Sequence, residues 1–314
     1  MSRRRALITG ITGQDGWYLA DLLLDRDYEV IGMVRATDAP LRSGIATVTG
    51  DLLDPRTLRE AVETTLPHEL YHLAAPTFVP SSWDDPTETL AAIAGATAAL
   101  LAAVRAVDAS MRVWVSTSSE IFGDAGESPQ NERTPTRPRS PYGVAKLAAH
   151  GLVGTLRARF GLFACSGITY NHESPRRPEQ FLSRKVTRGA AAIKLGLEQD
   201  LVLGDLDAVR DWLHAADVMH AAWLALQARE PDDYVIASGV GRTVRDFVAA
   251  AFAAVGLDWE AYVRIDPELV RPPEPIPLVG DPSRARERLG WEPERSFDDL
   301  VAEMVRADLA ALSA

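Results

Sequence analysis

The sequence predicts an α/β fold, a doubly wound parallel sheet with a smaller C-terminal lobe, and three observations predict it. Short apolar runs alternate with longer helical segments through the first half of the chain. A glycine turn joins the first apolar run to the first helix. Past residue 170 the alternation becomes an irregular pattern punctuated by proline.

The runs suited to strands are ALIT, EVIGMV, ATVTG, ELYHLA, RVWVSTS and FACSGITY. Between them, residues 88–107 and 141–160 are long and rich in Ala and Leu, as expected of helices buried against the sheet or against a partner subunit. Further helices are expected near 179–195, 243–255 and 296–312, with proline clusters near 175–178 and 272–277. This pattern predicts a dinucleotide-binding domain over 1–170 plus about 206–229, and a smaller substrate-binding domain from 171–205 and 230–314.

A chain of 314 residues, 46% hydrophobic and 25% charged, has enough apolar surface to bury a large core as one globular unit. The formal net charge of -11 argues against nucleic acid or a membrane surface as partner, since both select basic proteins. The single cysteine, Cys165, lies in the apolar stretch FGLFACSGI and reads as a buried structural residue. A reducing, cytoplasmic location is expected. The N-terminal SRRR is followed only by Ala-Leu-Ile before Thr9 and Gly10, too short for the apolar core of a signal peptide. No run long enough to span a membrane is expected either.

The segment ALITGITGQDGWYLADLLL is a strand, a turn carrying Gly10, Gly13 and Gly16, and an amphipathic helix. Such glycines permit a tight turn and close backbone approach, while the helix start offers unpaired N–H groups and a positive dipole end to a pyrophosphate. This is the context of a Rossmann-type nicotinamide dinucleotide site, to which Thr12, Gln14 and Asp15 also belong. EVIGMV ends in Arg35, where an NAD enzyme usually places an acid on the ribose; a cation suits a 2′-phosphate, so NADP is expected before NAD, the alternative for Arg35 being a solvated strand-end residue with Asp38 near it. Asp51 and Leu52, then Leu73, Ala74 and Ala75, follow two further strands on the side where adenine and dinucleotide would lie.

Ser118 and Glu120 follow RVWVSTS, and Tyr142 and Lys146 stand four apart at the start of a helix, on one face. With three lysines and seven tyrosines in the chain, chance supplies roughly 0.07 such pairs. A phenol with a pKa near ~10 needs a neighbouring ammonium and a positive nicotinamide ring to act as a base at neutral pH. Tyr142 would then take a sugar hydroxyl proton as hydride leaves its carbon, with Ser118 holding the same oxygen. A ketone at C4 acidifies C5–H, and Glu120 is the candidate base for that proton.

HELYH at 68–72 matches the zinc-protease pattern H-E-x-x-H, which works only on a helix. Pro67 precedes it and an apolar run continues it, so a strand is expected, its two histidines about 13 Å apart, and no metal.

With these residues in place the chain resembles the GDP-mannose 4,6-dehydratases of the extended short-chain dehydrogenase/reductase family over nearly its whole length. The resemblance is carried by ALITGITGQDGWYLA, STSSEIFG, SPYGVAK, NHESPRR, GDLDAVRDW, EPDDYVIASG, GLDWEAYVRIDP and LVGDPSRARERLGW. It implies oxidation at C4, loss of water across C5 and C6, and return of the same hydride to C6. It also implies Ser118, Glu120, Tyr142 and Lys146 at the catalytic positions, the serine standing where many members have threonine. His172 and Arg177 match positions that contact NADP. Ser82, Asn171, Lys185, Arg210, Arg271 and Glu274 match the side of the GDP-sugar. From 176 to 188 five cations against one acid give a local net charge of +4, which would attract a diphosphate.

The chain departs from the family in places. The stretch between Arg35 and Asp51 is shorter than an Arg-rich loop that resembles one supporting tetramers, and Ala36 stands where a second arginine is usual. A homodimer through 88–107 and 141–160 is therefore expected before a tetramer. Pro76, Trp83, Glu88 and Leu213 differ near the expected sugar pocket and point to an altered GDP-sugar such as a heptose or octose. A GDP-sugar 4-epimerase or 4-keto reductase of the same superfamily is the alternative enzyme. A dinucleotide-binding sensor without catalysis is the alternative from another class.

Overall fold

β1 (Arg5–Thr9) is buried at four of its five positions and ends at Gly10, whose φ of +77° suits a residue without a side chain. α1 (Gln14–Leu24), β2 (Glu29–Val34), β3 (Ile45–Thr49), α2 (Pro55–Thr65) and β4 (Glu69–His72) follow. Next, α3 (Pro86–Leu90), a π turn at Ala91–Gly95 and α4 (Ala96–Val107) run on as one helix, before β5 (Arg112–Ser116), α5 (Pro141–Phe160) and β6 (Ala164–Thr169). The computed structural model describes residues 3–35, 41–269 and 276–314.

These elements start and stop where local chemistry dictates. Asp54 caps α2 by accepting from Arg56 N, with Pro55 in the first turn. Ser140 caps α5 by accepting from Gly143 N at 3.0 Å, and Gly161 in the left-handed region ends it.

In the second half, β7 (Asn171–Glu173), α6 (Leu182–Lys194), β8 (Leu201–Leu203), β9 (Val209–His214), α7 (Ala215–Gln227) and β10 (Asp233–Ile236) precede β11 (Gly241–Thr243), α8 (Val244–Ala254) and β12 (Val263–Ile265). α9 (Ser283–Leu289) and α10 (Phe297–Leu312) complete the chain.

The main sheet has the order β10-β6-β5-β4-β1-β2-β3, every pair parallel. From β1 the chain winds out through β2 and β3, then returns to place β4 on the other side of β1. That reversal opens a crevice at the carboxyl ends of β1 and β4, the place where doubly wound sheets bind ligands. Leu19 and Leu23 of α1 and Met219 and Ala222 of α7 cover one sheet face, and Leu58, Leu101 and Val153 of α2, α4 and α5 cover the other. Gly167 in β6 admits the Trp114 ring, which lies 1.9 Å from where a Cβ would stand. Cys165 is buried beside it, as expected.

A second layer holds β7, β9 and β11 in a three-stranded sheet and β8 with β12 in a pair. α6, α8 and α10 pack there on a core containing Val186, Phe247, Phe252 and Met304.

The structure corrects several expectations. Residues 230–314 do not all belong to the second layer: β10 pairs with β6 at the edge of the main sheet, and Trp291 donates from Nε1 to Asp217 O of α7 at 2.9 Å. Conversely β9, expected with the first domain, pairs with β7 and β11. α6 begins at Leu182 rather than 179, with Phe181 at its N-cap. The run Pro86–Val107, 22 residues long with a mean hydropathy of 1.9 over its most apolar 18-residue window, packs against α2 and α5 with 44% of that window buried, as a core helix does.

Candidate active site

The glycine turn sits at the crevice. A Cβ on Gly10 would meet Ala74 N at 2.8 Å, and one on Gly16 would meet Gly10 O at 2.3 Å, so only bare backbone fits. Gly13 caps α1 without a side-chain hydrogen bond, leaving the first N–H groups of the helix for another acceptor. Thr12 is exposed in the turn. Thr9 Oγ1 accepts from Leu73 N and Ala74 N, both at 3.2 Å, and so ties the end of β4 to that of β1. These features fit a dinucleotide pyrophosphate. Arg35 and Asp51 are exposed at the ends of β2 and β3, with Leu52 and Ala75 half-buried near them in the chain or at the end of β4. Asp38 and Ala36 lie outside the described residues.

Tyr142, Lys146 and Ser118 come together at the carboxyl end of β5, each 9% exposed or less. Lys146 Nζ donates to Ser116 O at 2.7 Å and lies 5.7 Å from the Tyr142 ring centre. Ser118 accepts from Glu120 N at 3.3 Å and lies close enough to the Tyr142 phenol to lower its pKa. Gly143 explains how close this packing is: a Cβ there would stand 2.7 Å from Glu120 O, so glycine lets α5 settle against the turn that carries Glu120.

Burial pushes the Tyr142 phenol well above its ordinary value, the Ser118 hydroxyl and the Arg177 charge pull it back, and the Glu120 carboxylate raises it. Burial pushes the Lys146 ammonium down to about 8, against the opposing pull of Asp15. The phenol therefore depends on every positive charge gathered around it.

HELYH is a strand at Glu69–His72, as expected, and His72, held near 3 by burial with the Lys146 charge adding to it, shares a 2.8 Å hydrogen bond with Thr9 Oγ1.

One arrangement was not legible in the sequence. His172 on β7 places Nε2 2.9 Å from Asp15 Oδ2 and Nδ1 2.7 Å from Tyr170 O. Both partners accept only, so both ring nitrogens carry hydrogen and His172 is a cation. Gln14 Nε2 donates to His172 O at 3.0 Å and Gln14 Oε1 accepts from Ser174 Oγ at 2.7 Å. The glycine turn is thus pinned to NHESPRR by residues 157 to 160 positions away, a separation that no local spacing signals. Arg177 packs on the Phe181 ring at 3.6 Å, and its Nε lies 3.1 Å from Glu173 Oε2, a charge contact off the hydrogen-bonding line.

The expected basic face over 176–188 is partly neutralised by ion pairs. Arg177 meets Glu173, Arg184 meets Asp308 and Arg188 meets Glu179, while Arg176 lies over the Trp17 ring at 4.6 Å. Lys185 stays exposed on α6. Ser82 is buried and donates to Val79 O at 2.7 Å in a short helix that packs on α5. Asn171 opens β7 opposite Trp212, and Arg210 on β9 donates to Val209 O at 2.7 Å. Arg271 and Glu274 lie outside the described residues. Leu213 is core, 2% exposed among α1 and α7 side chains, not a lining residue of a sugar pocket. Trp83 is 63% exposed, and Glu88 is exposed in the first turn of α3.

A parallel sheet with a bare glycine turn at its crevice, and a serine, tyrosine and lysine on the next strand and helix, define a short-chain dehydrogenase/reductase of the extended type. The family model described as "GDP-mannose 4,6 dehydratase" matches residues 7–304, and the chain belongs to that family. It is 44% identical to GDP-mannose 4,6 dehydratase 2 of Arabidopsis thaliana, over 98% of this chain and 87% of that one. It is 42% identical to GDP-mannose 4,6-dehydratase of Sinorhizobium fredii, covering 99% and 98%. Among solved structures, RMD from Pseudomonas aeruginosa complexed with NADPH superposes with a TM-score of 0.84 at 26% identity, covering 98% of this chain and 99% of that one. UDP-glucose 4-epimerase from Thermus thermophilus in complex with NAD does so with 0.84 at 25%, covering 98% and 99%.

Proposed function

We propose that this chain is an NADP-dependent hydro-lyase that converts GDP-mannose to GDP-4-keto-6-deoxymannose. The observation that carries the reading is the buried Ser118–Tyr142–Lys146 cluster with the Glu120 carboxylate within electrostatic reach of the phenol.

The bound dinucleotide supplies a hydride acceptor at C4 of the sugar and later the donor at C6. The protein supplies the proton chemistry. Tyr142, assisted by Lys146, removes the C4 hydroxyl proton, and Ser118 holds that oxygen as it becomes a carbonyl. Glu120 takes the proton from C5 and passes it to the C6 hydroxyl, which leaves as water, and the proton taken up by Tyr142 balances the return of hydride to C6 by going to C5. The extended Ser118 backbone and the close seat of Gly143 set Glu120 and Tyr142 from one turn and one helix, which suits two bases acting in sequence on neighbouring carbons.

Gly10, Gly13, Gly16, Asp15, His172 and Arg177 are proposed to hold the dinucleotide, and Arg35 to favour a 2′-phosphate. Ser82, Asn171, Lys185, Arg210, Arg271 and Glu274 are proposed on the GDP-sugar side. A homodimer through the α3–α4 run and α5 is proposed on their exposed small-residue surface, which includes Ala91, Ala98, Ala148 and Gly151, exposed or half-buried. A cytoplasmic location accords with one buried thiol.

The test is incubation with GDP-mannose and catalytic NADP, followed by mass spectrometry. Loss of one water without net cofactor reduction is the expected outcome. Stoichiometric consumption of NADPH on a 4-keto sugar, or a change of configuration without loss of mass, would replace the dehydratase reading with the reductase or the epimerase.

A further inference from the structure

The last helix reaches the loop beside the glycine turn through one buried ion pair. Asp308 of α10 is fully buried, and Arg184 of α6 donates to its Oδ1 from Nε at 2.7 Å. Thr187 Oγ1 donates to the other oxygen, Oδ2, at 2.7 Å. Arg184 turns its remaining nitrogen Nη1 to the backbone, donating to Pro175 O at 2.5 Å and to Arg177 O at 3.0 Å. A planar guanidinium can serve a carboxylate on one edge and two carbonyls on another; an ammonium cannot.

The loop so held carries both arginines that face the site. Arg176 lies on the Trp17 ring in the first turns of α1, and the Arg177 charge acts on Tyr142 and on Asp15. A segment made of Ser-Pro-Arg-Arg-Pro has no regular structure of its own at 174–178, so its conformation is fixed by what accepts and donates to its backbone.

We propose that Asp308 is a positioning residue for cofactor binding: it orients Arg184, and Arg184 fixes the 175–177 loop so that Arg177 is presented to the dinucleotide. The inference rests on the reading that this loop borders the cofactor. It assigns to α10 a part in dinucleotide affinity exercised through Arg184.

Removing one member of a buried pair strands the other, so single truncations at this site threaten the fold itself. Replacing both with apolar side chains avoids that, because a well-packed apolar pair often matches a buried ion pair in stability. The test is therefore Arg184→Met with Asp308→Leu, beside Arg184→Lys, which keeps the charge opposite Asp308 and loses the fork to the two carbonyls. The measurements are calorimetric NADP binding, the thermal midpoint, and the rate of tryptic cleavage after Arg176, the bond after Arg177 being blocked by Pro178.

Both variants are expected to keep a midpoint close to the parent, to bind NADP about ten-fold more weakly, the worth of one hydrogen bond to a charged group, and to be cleaved faster in the loop. In turnover the Michaelis constant for NADP should rise much more than kcat falls. Parent-like NADP affinity and cleavage in a variant with the parent's midpoint would overturn the proposal. If the double variant does not fold, Arg184→Lys decides by the same criteria. If the parent protein itself binds no dinucleotide, the cofactor reading falls instead, and the cleavage rates still decide whether the pair holds the loop.

Discussion

His172 Nε2 stands 2.9 Å from Asp15 Oδ2 inside the molecule, an imidazolium against a carboxylate that joins β7 to the first turn of α1. Burial opposes the charge on each partner, but their mutual attraction outweighs it: His172 is held above its ordinary 6.5 and Asp15 below 3.8. The raised histidine contributes fully below 6.5, and its contribution is lost as pH rises through the folded value. The depressed carboxylate contributes fully above 3.8, and its contribution is lost as pH falls through the folded value. His172→Gln should therefore lower stability most between these limits, by about 3 kcal/mol near pH 5.5. The difference from the parent should shrink toward pH 9. Thermal melts across pH check this, and a deficit that grows with pH would contradict the pairing.

Replacing the carboxylate at the candidate site separates the two chemical stages. Glu120→Gln should retain dinucleotide binding and the exchange of hydride at C4 while water loss falls by at least ~10²-fold. Mass spectrometry of the product reads the water, and absorbance of the reduced cofactor in single turnover reads the first stage. Normal dehydration would remove Glu120 from the mechanism.

Lys146 bears on the phenol through charge, so its loss should show in the pH profile as well as the rate. Below its value of about 8 Lys146 is cationic and favours the Tyr142 phenolate. Lys146→Met takes that charge away, so the acid limb of kcat/KM for sugar oxidation should move to higher pH by about one unit or more. Tyr142→Phe should abolish oxidation at every pH. A limb that stays in place in the methionine variant would mean that Lys146 acts only by holding the Ser116 carbonyl.

The glycine turn leaves no room for a methyl group. Gly16→Ala would set Cβ 2.3 Å from Gly10 O, against backbone that cannot rotate away. A loss of about 1–3 kcal/mol is expected from overpacking, together with loss of dinucleotide binding by calorimetry.

Leu213 supplies a test between pocket and core. Buried among α1 and α7, Leu213→Gly should cost at least about 3 kcal/mol in denaturant unfolding. The choice among GDP-sugars should not change; a changed choice at full stability would return Leu213 to the substrate side.

The elements read most readily from the sequence were those whose signals are local. The periodic apolar runs of β1 to β6 and the glycine turn have a fixed consequence for the backbone around them. The Tyr142–Lys146 pair is equally local, because one helical turn brings both to one face. What escaped was non-local: the Asp15–His172 pair, the Arg184–Asp308 pair and the placement of β10 each join residues far apart in the chain. The charge count over 176–188 likewise could not include Asp308. Asp308, the partner of Arg184, lies 124 positions from it. Leu213 was read by its neighbour in a motif, whereas its side chain follows the alternation of β9 into the core.

The return of β10 to the edge of the main sheet has a consequence for how the protein is made. A ribosome delivers β1 to β6 first, then the strands β7, β8 and β9, and only then the strand that covers the exposed flank of β6. Until residue 236 has emerged, that flank offers a row of unpaired backbone groups to any other nascent chain. The seal over α7 comes later still, with Trp291. Synthesis of this chain should therefore pass through a long interval in which a nearly finished sheet remains adhesive, so growth temperature and chaperone supply should govern its soluble yield more than the stability of the finished fold does.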